Sequence, residues 1–188
     1  MIVVTKNRLY DRIKPLLDID HIDYGENKIQ EAFNKWSPLV SLNKKIQLHF
    51  IGKLQSNKAK QAFEMFQFIH SLDSEKLAKI FSALEQKKAI KKKYFIQVNI
   101  AEEIQKGGIS SDKLSEFSNY CVKKLNLNIL GLMCIPPASH DPKKYFIKLK
   151  ELNISNGFKQ LSMGMSNDYE EAVKCGSTHV RIGSAIFN

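Results

Sequence analysis

The sequence begins MIVVTK, where Ile2, Val3, Val4 and a threonine run directly into Lys6. An unbroken apolar run is the pattern of a strand buried on both faces, and an ammonium at its end is either a solvated marker or a reactive amine held in a pocket. Desolvation and a nearby second cation would favour the neutral, nucleophilic amine, which forms Schiff bases. A second chemistry-bearing stretch, SMGMSNDYEEAVKCGS, covers residues 162–177. Gly164 breaks an apolar strand, Ser166 sits where an N-cap would be, and Asn167, Asp168, Glu170 and Glu171 suit the first turn of a helix. Free backbone N–H groups, a hydroxyl and the positive end of a helix dipole make such a terminus a phosphate site, and Gly183-Ser184 would add further amides. Ser166 taken alone reads better as a structural cap, and Gly183 as a turn glycine, but paired loops on adjacent strands favour the phosphate site. Arg181 is either the second cation near Lys6 or half of an ion pair with a carboxylate such as Glu26.

These residues have to be positioned by a scaffold, and the chain shows a repeated alternation. Short β-rich stretches occur at Met1 to Lys6, His21 to Tyr24, Ile46 to Ile51, Phe66 to His70, Tyr94 to Ile100, Ile129 to Ile135, Lys159 to Met163 and His179 to Ile182. Helical spacing appears between them. Ile29, Ala32, Phe33 and Trp36 form one stripe, Leu77, Ile80, Phe81 and Leu84 a second behind a Ser74 cap, and Leu114, Phe117, Cys121 and Leu125 a third. The pattern predicts an α/β (β/α)8 TIM barrel over residues 1–188, a single compact domain, with an open doubly wound sheet as the other arrangement. In a barrel the ligand end is the rim at the strands' carboxyl ends, where Lys6, Gly25-Glu26-Asn27, Gly52, Asn99, Met133, Ser162 to Ser166 and Arg181 to Ser184 fall.

Composition narrows the function classes. With 43% hydrophobic and 26% charged residues, 188 residues suffice for a core without metal or disulfides. Cys121, Cys134 and Cys175 are odd in number and widely spaced, which predicts free packing thiols in a reducing compartment. No apolar run is long enough for a signal peptide or membrane span, so the expectation is a cytoplasmic protein. A net charge of +10 raises the question of nucleic acid. The lysines are dispersed, however, and the densest cluster, EQKKAIKKKYF, lacks an interleaved aromatic platform, so a solvated face is favoured over a nucleic-acid site.

Several motifs carry a family resemblance. VVTK, GEN at residues 25–27 followed by Gln30-Glu31, HFIGKLQSNK at 49–58, GLMCIPP at 131–137 and LSMGMSNDYEEAVKCGSTHVRIGSAIF at 161–187 closely resemble the pyridoxal phosphate homeostasis proteins. These are relatives of the amino-terminal barrel of alanine racemase. The resemblance implies that Lys6 forms the internal aldimine with pyridoxal 5′-phosphate. It implies that Ser166, Gly183 and Ser184 hold the phosphate and that Arg181 faces the pyridine nitrogen. Asn27, His49, Met133, Ser162 and Met163 fall on its other lining motifs, and Lys106 matches a second lysine that either exchanges the cofactor or is a solvated loop residue. The family's extra helix ahead of strand one is expected to be lacking, its small residue after GLM is Cys134 here, and a closing helix is expected to be short or absent. The implied role is buffering or delivery of pyridoxal phosphate by a monomer, with apo-enzymes as recipients, no metal and no established turnover. The related racemases take a second base from a separate β domain, which a chain of this length is expected not to carry, and an arginine at the ring nitrogen would weaken the electron sink. The alternative is a minimal pyridoxal-phosphate-dependent amino-acid racemase or lyase.

Overall fold

Strands that read as apolar on both faces need cover inside and out, and a parallel sheet loses its exposed edges only when its first strand meets its last. The computed structural model describes residues 1–188 except Ile104 and Ser139. Its strands are β1 (Ile2–Val4), β2 (Asp23–Glu26), β3 (Gln47–Phe50), β4 (Phe68–Leu72), β5 (Lys93–Gln97), β6 (Ile129–Met133), β7 (Gln160–Met165) and β8 (His179–Ile182). All pair in parallel, in sequence order, and β1 closes the barrel by pairing with β8 at Ile2↔Arg181 and Val3↔Ile182. The helices are α1 (Tyr10–Asp18), α2 (Ile29–Leu42), α3 (Ala59–Met65), α4 (Glu75–Lys88), α5 (Leu114–Asn119), α6 (Lys143–Ser155), α7 (Tyr169–Lys174) and α8 (Ser184–Phe187). The closed barrel displaces the open sheet as the architecture, with β1 as its first element.

Alternation along each strand divides the side chains between two cores. Val3, Tyr24, Leu48, Ile69, Tyr94, Leu132 and Met163 point outward into one large cluster shared with the helices. Inside the barrel, Phe68, Phe95 and Met133 form a small separate cluster. The rest of the interior holds Ile2 and Val4 of β1 and a set of polar groups, and it is among these polar groups that the site residues gather.

The helix stripes hold with two corrections. Ala32 and Trp36 of α2 are buried, but Phe33 is 57% exposed, because the buried stripe of this helix is narrower than its apolar spacing suggests. The third expected helix stops being α-helical at Asn119 and continues as a π turn over Tyr120–Lys124, which still buries Cys121. The Ser74 cap is present, its hydroxyl accepting from Leu77 N–H at 3.4 Å. In the basic segment after α4, Lys91 pairs with the buried Glu85, Lys92 lies over the Phe63 ring and Lys93 over the Phe68 ring, so these lysines serve local packing. Cys121, Cys134 and Cys175 are free and buried. Among the described residues, no helix is long and apolar enough to cross a membrane.

One glycine shows how tightly the barrel closes at the site. Gly131 of β6 lies opposite Gln160 of β7, and a Cβ there would meet the Gln160 carbonyl oxygen at 1.7 Å. Backbone cannot yield as a flexible side chain can. Gly131→Ala is therefore expected to cost about 3 kcal/mol of stability; an unchanged urea midpoint would show that the two strands are not held at this spacing.

Candidate functional site

Inward-facing positions on five strands assemble a continuous polar chain through the barrel. Asp23 Oδ1 lies 3.0 Å from His49 Nε2, and His49 Nδ1 lies 3.0 Å from His70 Nε2. His70 Nδ1 lies 2.8 Å from the Ser162 hydroxyl, which accepts from Arg181 Nη1 at 2.7 Å. The second guanidinium nitrogen donates to the Cys134 carbonyl at 2.9 Å. Two phenyl rings wall the imidazoles, Phe68 stacked on His49 at 4.1 Å and Phe95 on His70 at 4.4 Å, with Met133 in the same cluster. His179 faces the same interior, with its Nδ1 2.9 Å from the Thr178 hydroxyl.

Burial governs the electrostatics of this chain. It pushes His70 well below the usual imidazole value, helped by the neighbouring His49, Arg181 and His179. Burial also lowers His49, against the pull of Asp23, and brings His179 down to about 4. The hydrogen bond from His49 holds the Asp23 carboxyl below the ordinary range despite partial burial. Arg181 is 4% exposed, and burial lowers it too. No carboxylate pairs with it among the described residues. The alternative partner, Glu26, is occupied elsewhere: its Oε1 accepts from the Thr5 hydroxyl, Lys35 and the Trp36 indole.

That second network fixes the turn carrying Lys6. Lys35 also donates to the Thr5 carbonyl at 2.6 Å and to Glu31, and Glu31 accepts the backbone N–H of Asn7. Asn7 has a left-handed φ of 57°, which asparagine tolerates well. Lys6 is thus held between two anchored residues at the end of β1, but its side chain is exposed. The expected desolvation beside Arg181 is absent, since Arg181 lies inside the barrel and Lys6 on its rim.

The two loops after β7 and β8 meet. Ser166 is not the cap of α7; Asp168 holds that position, and its carboxylate accepts from Met165 N–H at 2.6 Å. The Ser166 hydroxyl instead accepts from the backbone N–H groups of Gly183 at 3.1 Å and Ala185 at 3.3 Å. Gly164 makes the bend possible with a φ of +92°, where a Cβ would meet the Ala172 Cβ at 2.5 Å. Gly183 packs so closely on β1 that a Cβ would sit 3.3 Å from the Val4 carbonyl oxygen. Lys6, Ser166, Gly183 and the exposed Ser184 therefore share one sector of the rim.

The other sequence candidates scatter. Asn27 stands on the rim with a buried, unpartnered Oδ1, its backbone pressed against Gly52 so that a Cβ on Gly52 would meet the Asn27 carbonyl at 2.2 Å. His49, Met133 and Ser162 line the interior. Met163, one residue out of phase with Ser162, faces the helices and not the site. Lys106 is ion-paired with Glu103 at 2.7 Å in the loop after β5. Burial pushes the Cys134 thiol up to about 12, which fits a packing role, while its carbonyl holds Arg181. Sequence reading missed Asp23, His70 and Lys35. For His70 a signal existed: it shares strand parity with Phe68, which faces inward.

The interior histidines make stability depend on pH. Unfolded, they bind protons below about pH 6.5, whereas His49, His70 and His179 are held neutral in the fold. The unfolded chain then carries more protons, so stability is complete above that value and is lost as pH falls below it. The denaturant midpoint is expected to drop between about pH 7 and about pH 5, each histidine contributing up to about 1.4 kcal/mol per pH unit. His179→Phe should flatten the profile, and a flat profile in the unaltered protein would contradict neutral burial.

Comparison with known proteins places this geometry. A family model described as the alanine racemase N-terminal domain matches residues 13–188. The pyridoxal phosphate homeostasis protein of Aquifex aeolicus is 39% identical over 173 residues, covering 87% of this chain and 75% of that protein. The protein of the same name from Escherichia coli K12 is 32% identical over 196 residues, covering 100% and 84%. Among solved structures, PipY of Synechococcus elongatus with pyridoxal phosphate bound superposes with a TM-score of 0.91 at 29% identity, covering 100% of this chain and 92% of that one. Alanine racemase from Bartonella henselae shares the fold with a TM-score of 0.75 at 15% identity, over 98% of this chain and 53% of that one. From the closed barrel, the paired loops and these matches, the chain belongs to the pyridoxal phosphate homeostasis protein family, on the barrel of the alanine racemase N-terminal domain.

Proposed function

We propose that the chain binds pyridoxal 5′-phosphate through the amine of Lys6 and serves its homeostasis inside the cell, by buffering or by delivery to apo-enzymes, without turnover of its own. The observation that carries this reading is the Ser166 hydroxyl, which gathers the Gly183 and Ala185 amides into one loop cluster packed against the strand that ends in Lys6. The bound state of PipY and the names of the curated relatives support the same ligand. The chain is proposed to act as a cytoplasmic monomer.

The donor set fits the group. With its oxygen accepting from the Gly183 and Ala185 N–H groups, the Ser166 hydroxyl can turn its own hydrogen to a phosphate beside the exposed Ser184, and an exposed amine at Lys6 suits an aldehyde. When bound, pyridoxal phosphate supplies an aldehyde reactive toward amines and a pyridine ring that can accept electron density. The Thr5, Asn7, Lys35 and Glu31 contacts hold Lys6 in place at the rim. Arg181 can only donate, and it would meet the ring nitrogen with a proton that stays on the guanidinium. A nitrogen left unprotonated is a poor electron sink, so the chain's residues favour holding over carbanion chemistry.

Purified protein incubated with pyridoxal phosphate is expected to develop a visible absorption band, and borohydride treatment should fix the label on the peptide containing Lys6. Lys6→Ala should lose both signals while remaining folded; a label that persists elsewhere with equal affinity would assign the binding amine to another lysine. The phosphate site has its own check. Ser166→Ala should weaken affinity for pyridoxal phosphate about tenfold, while leaving that for pyridoxal, which lacks the phosphate, unchanged. Equal losses for both ligands would remove Ser166 from the phosphate site.

A further inference from the structure

We propose that Asp23, His49 and His70 are positioning residues that orient the Arg181 guanidinium through Ser162, by a hydrogen-bond chain whose protons all point one way. The direction follows from the two ends. An ionised Asp23 can only accept, so His49 must carry its hydrogen on Nε2, 3.0 Å away. Neutral His49 then has a bare Nδ1, and the facing His70 Nε2, at 3.0 Å, must supply the hydrogen. Neutral His70 is left with a bare Nδ1, which takes the Ser162 hydroxyl hydrogen across 2.8 Å. The Ser162 oxygen is thereby free to accept from Arg181, which can only donate, at 2.7 Å.

The opposite direction fails at the carboxylate. A hydrogen on Nδ1 of His49 would leave a bare Nε2 facing Asp23, unless the ring became cationic inside a barrel already holding Arg181. The Asp23 side chain is 32% exposed, and that of His49 only 1%. The chain therefore links a hydrated negative charge to a buried positive one that has no ion-pair partner among the described residues. Each hydrogen bond in such a series polarises the next, so the carboxylate strengthens Ser162 as an acceptor without touching Arg181. The phenyl rings of Phe68 and Phe95, stacked on the two imidazoles, exclude competing water and keep the rings in the chain's geometry. A functional consequence rests on the reading of Arg181 as the partner of the cofactor's ring nitrogen: removing the charge at Asp23 should loosen that contact from across the barrel.

Two measurements test this separately. Histidine-edited nitrogen NMR of the full chain without cofactor should show His49 and His70 neutral, both with the hydrogen on Nε2, at neutral pH. A hydrogen on Nδ1 of either ring, or a cationic ring, overturns the chain whatever the protein binds. Asp23→Asn, loaded with pyridoxal phosphate, should bind about tenfold more weakly and shift the visible band, and Asp23→Glu should restore both. An unchanged band and affinity in a folded Asp23→Asn protein overturn the positioning role. If the unaltered protein takes up no pyridoxal phosphate, the proposed function fails, and the NMR result still decides the chain.

Discussion

A guanidinium buried inside the barrel, with no carboxylate ion-paired to it among the described residues, is the constraint to which the other site features answer. An uncompensated buried charge costs several kcal/mol, roughly, even after local relaxation. Arg181 meets that cost with directed dipoles, the Ser162 hydroxyl and the Cys134 carbonyl. Both depend on where β6 and β7 lie. Gly131 lets β6 approach the Gln160 carbonyl of β7, and Cys134 follows three residues later with its own N–H bonded to the Ser162 carbonyl. The glycine in GLM and the carbonyl after it thus belong to one device, and the thiol of Cys134 is incidental to it.

The rim works on a different principle. Lys6 is exposed, and what the fold gives it is position. Three groups on β2 and α2, Glu26, Glu31 and Lys35, converge on the residues flanking it, and the Trp36 indole donates to the fully buried Glu26 at their centre. This gives a physical reason for the acidic residue in GEN and the glutamate that follows five residues later. In the proposed role an exposed amine on a fixed turn is suited to capture and release, because neither event requires the barrel to open.

Much of this was legible in the sequence, and the failures have a common cause. The eight strands and the capped helix α4 could be read because apolar spacing and a Ser74 cap are local. The motifs around Lys6 and Ser166 to Ser184 were also visible, as runs of unusual residues at strand ends. What could not be read were pairings between distant strands. His70 and Ser162 are 92 residues apart, yet bond across the barrel. Ser166 looked like a cap because its own segment offers a helix, while its partners, Gly183 and Ala185, lie on the next loop. Motif resemblance also misleads where it names neighbouring residues: Ser162 and Met163 both fall on one motif, but alternation along β7 sends Ser162 into the barrel and Met163 toward the helices.

The pairing of β1 with β8 has a further meaning for assembly. This seam joins segments from opposite ends of the chain, so its closure carries a large loop-entropy cost and is among the most non-local contacts in the fold. Lys6 stands on one side of it, and Ser166, Gly183 and Ser184 on the other. A ligand touching both sides would act as a clasp, stabilising the closed ring by mass action and binding only chains that have completed it. Affinity at this rim would then report not only the chemistry of the site but whether the barrel has shut.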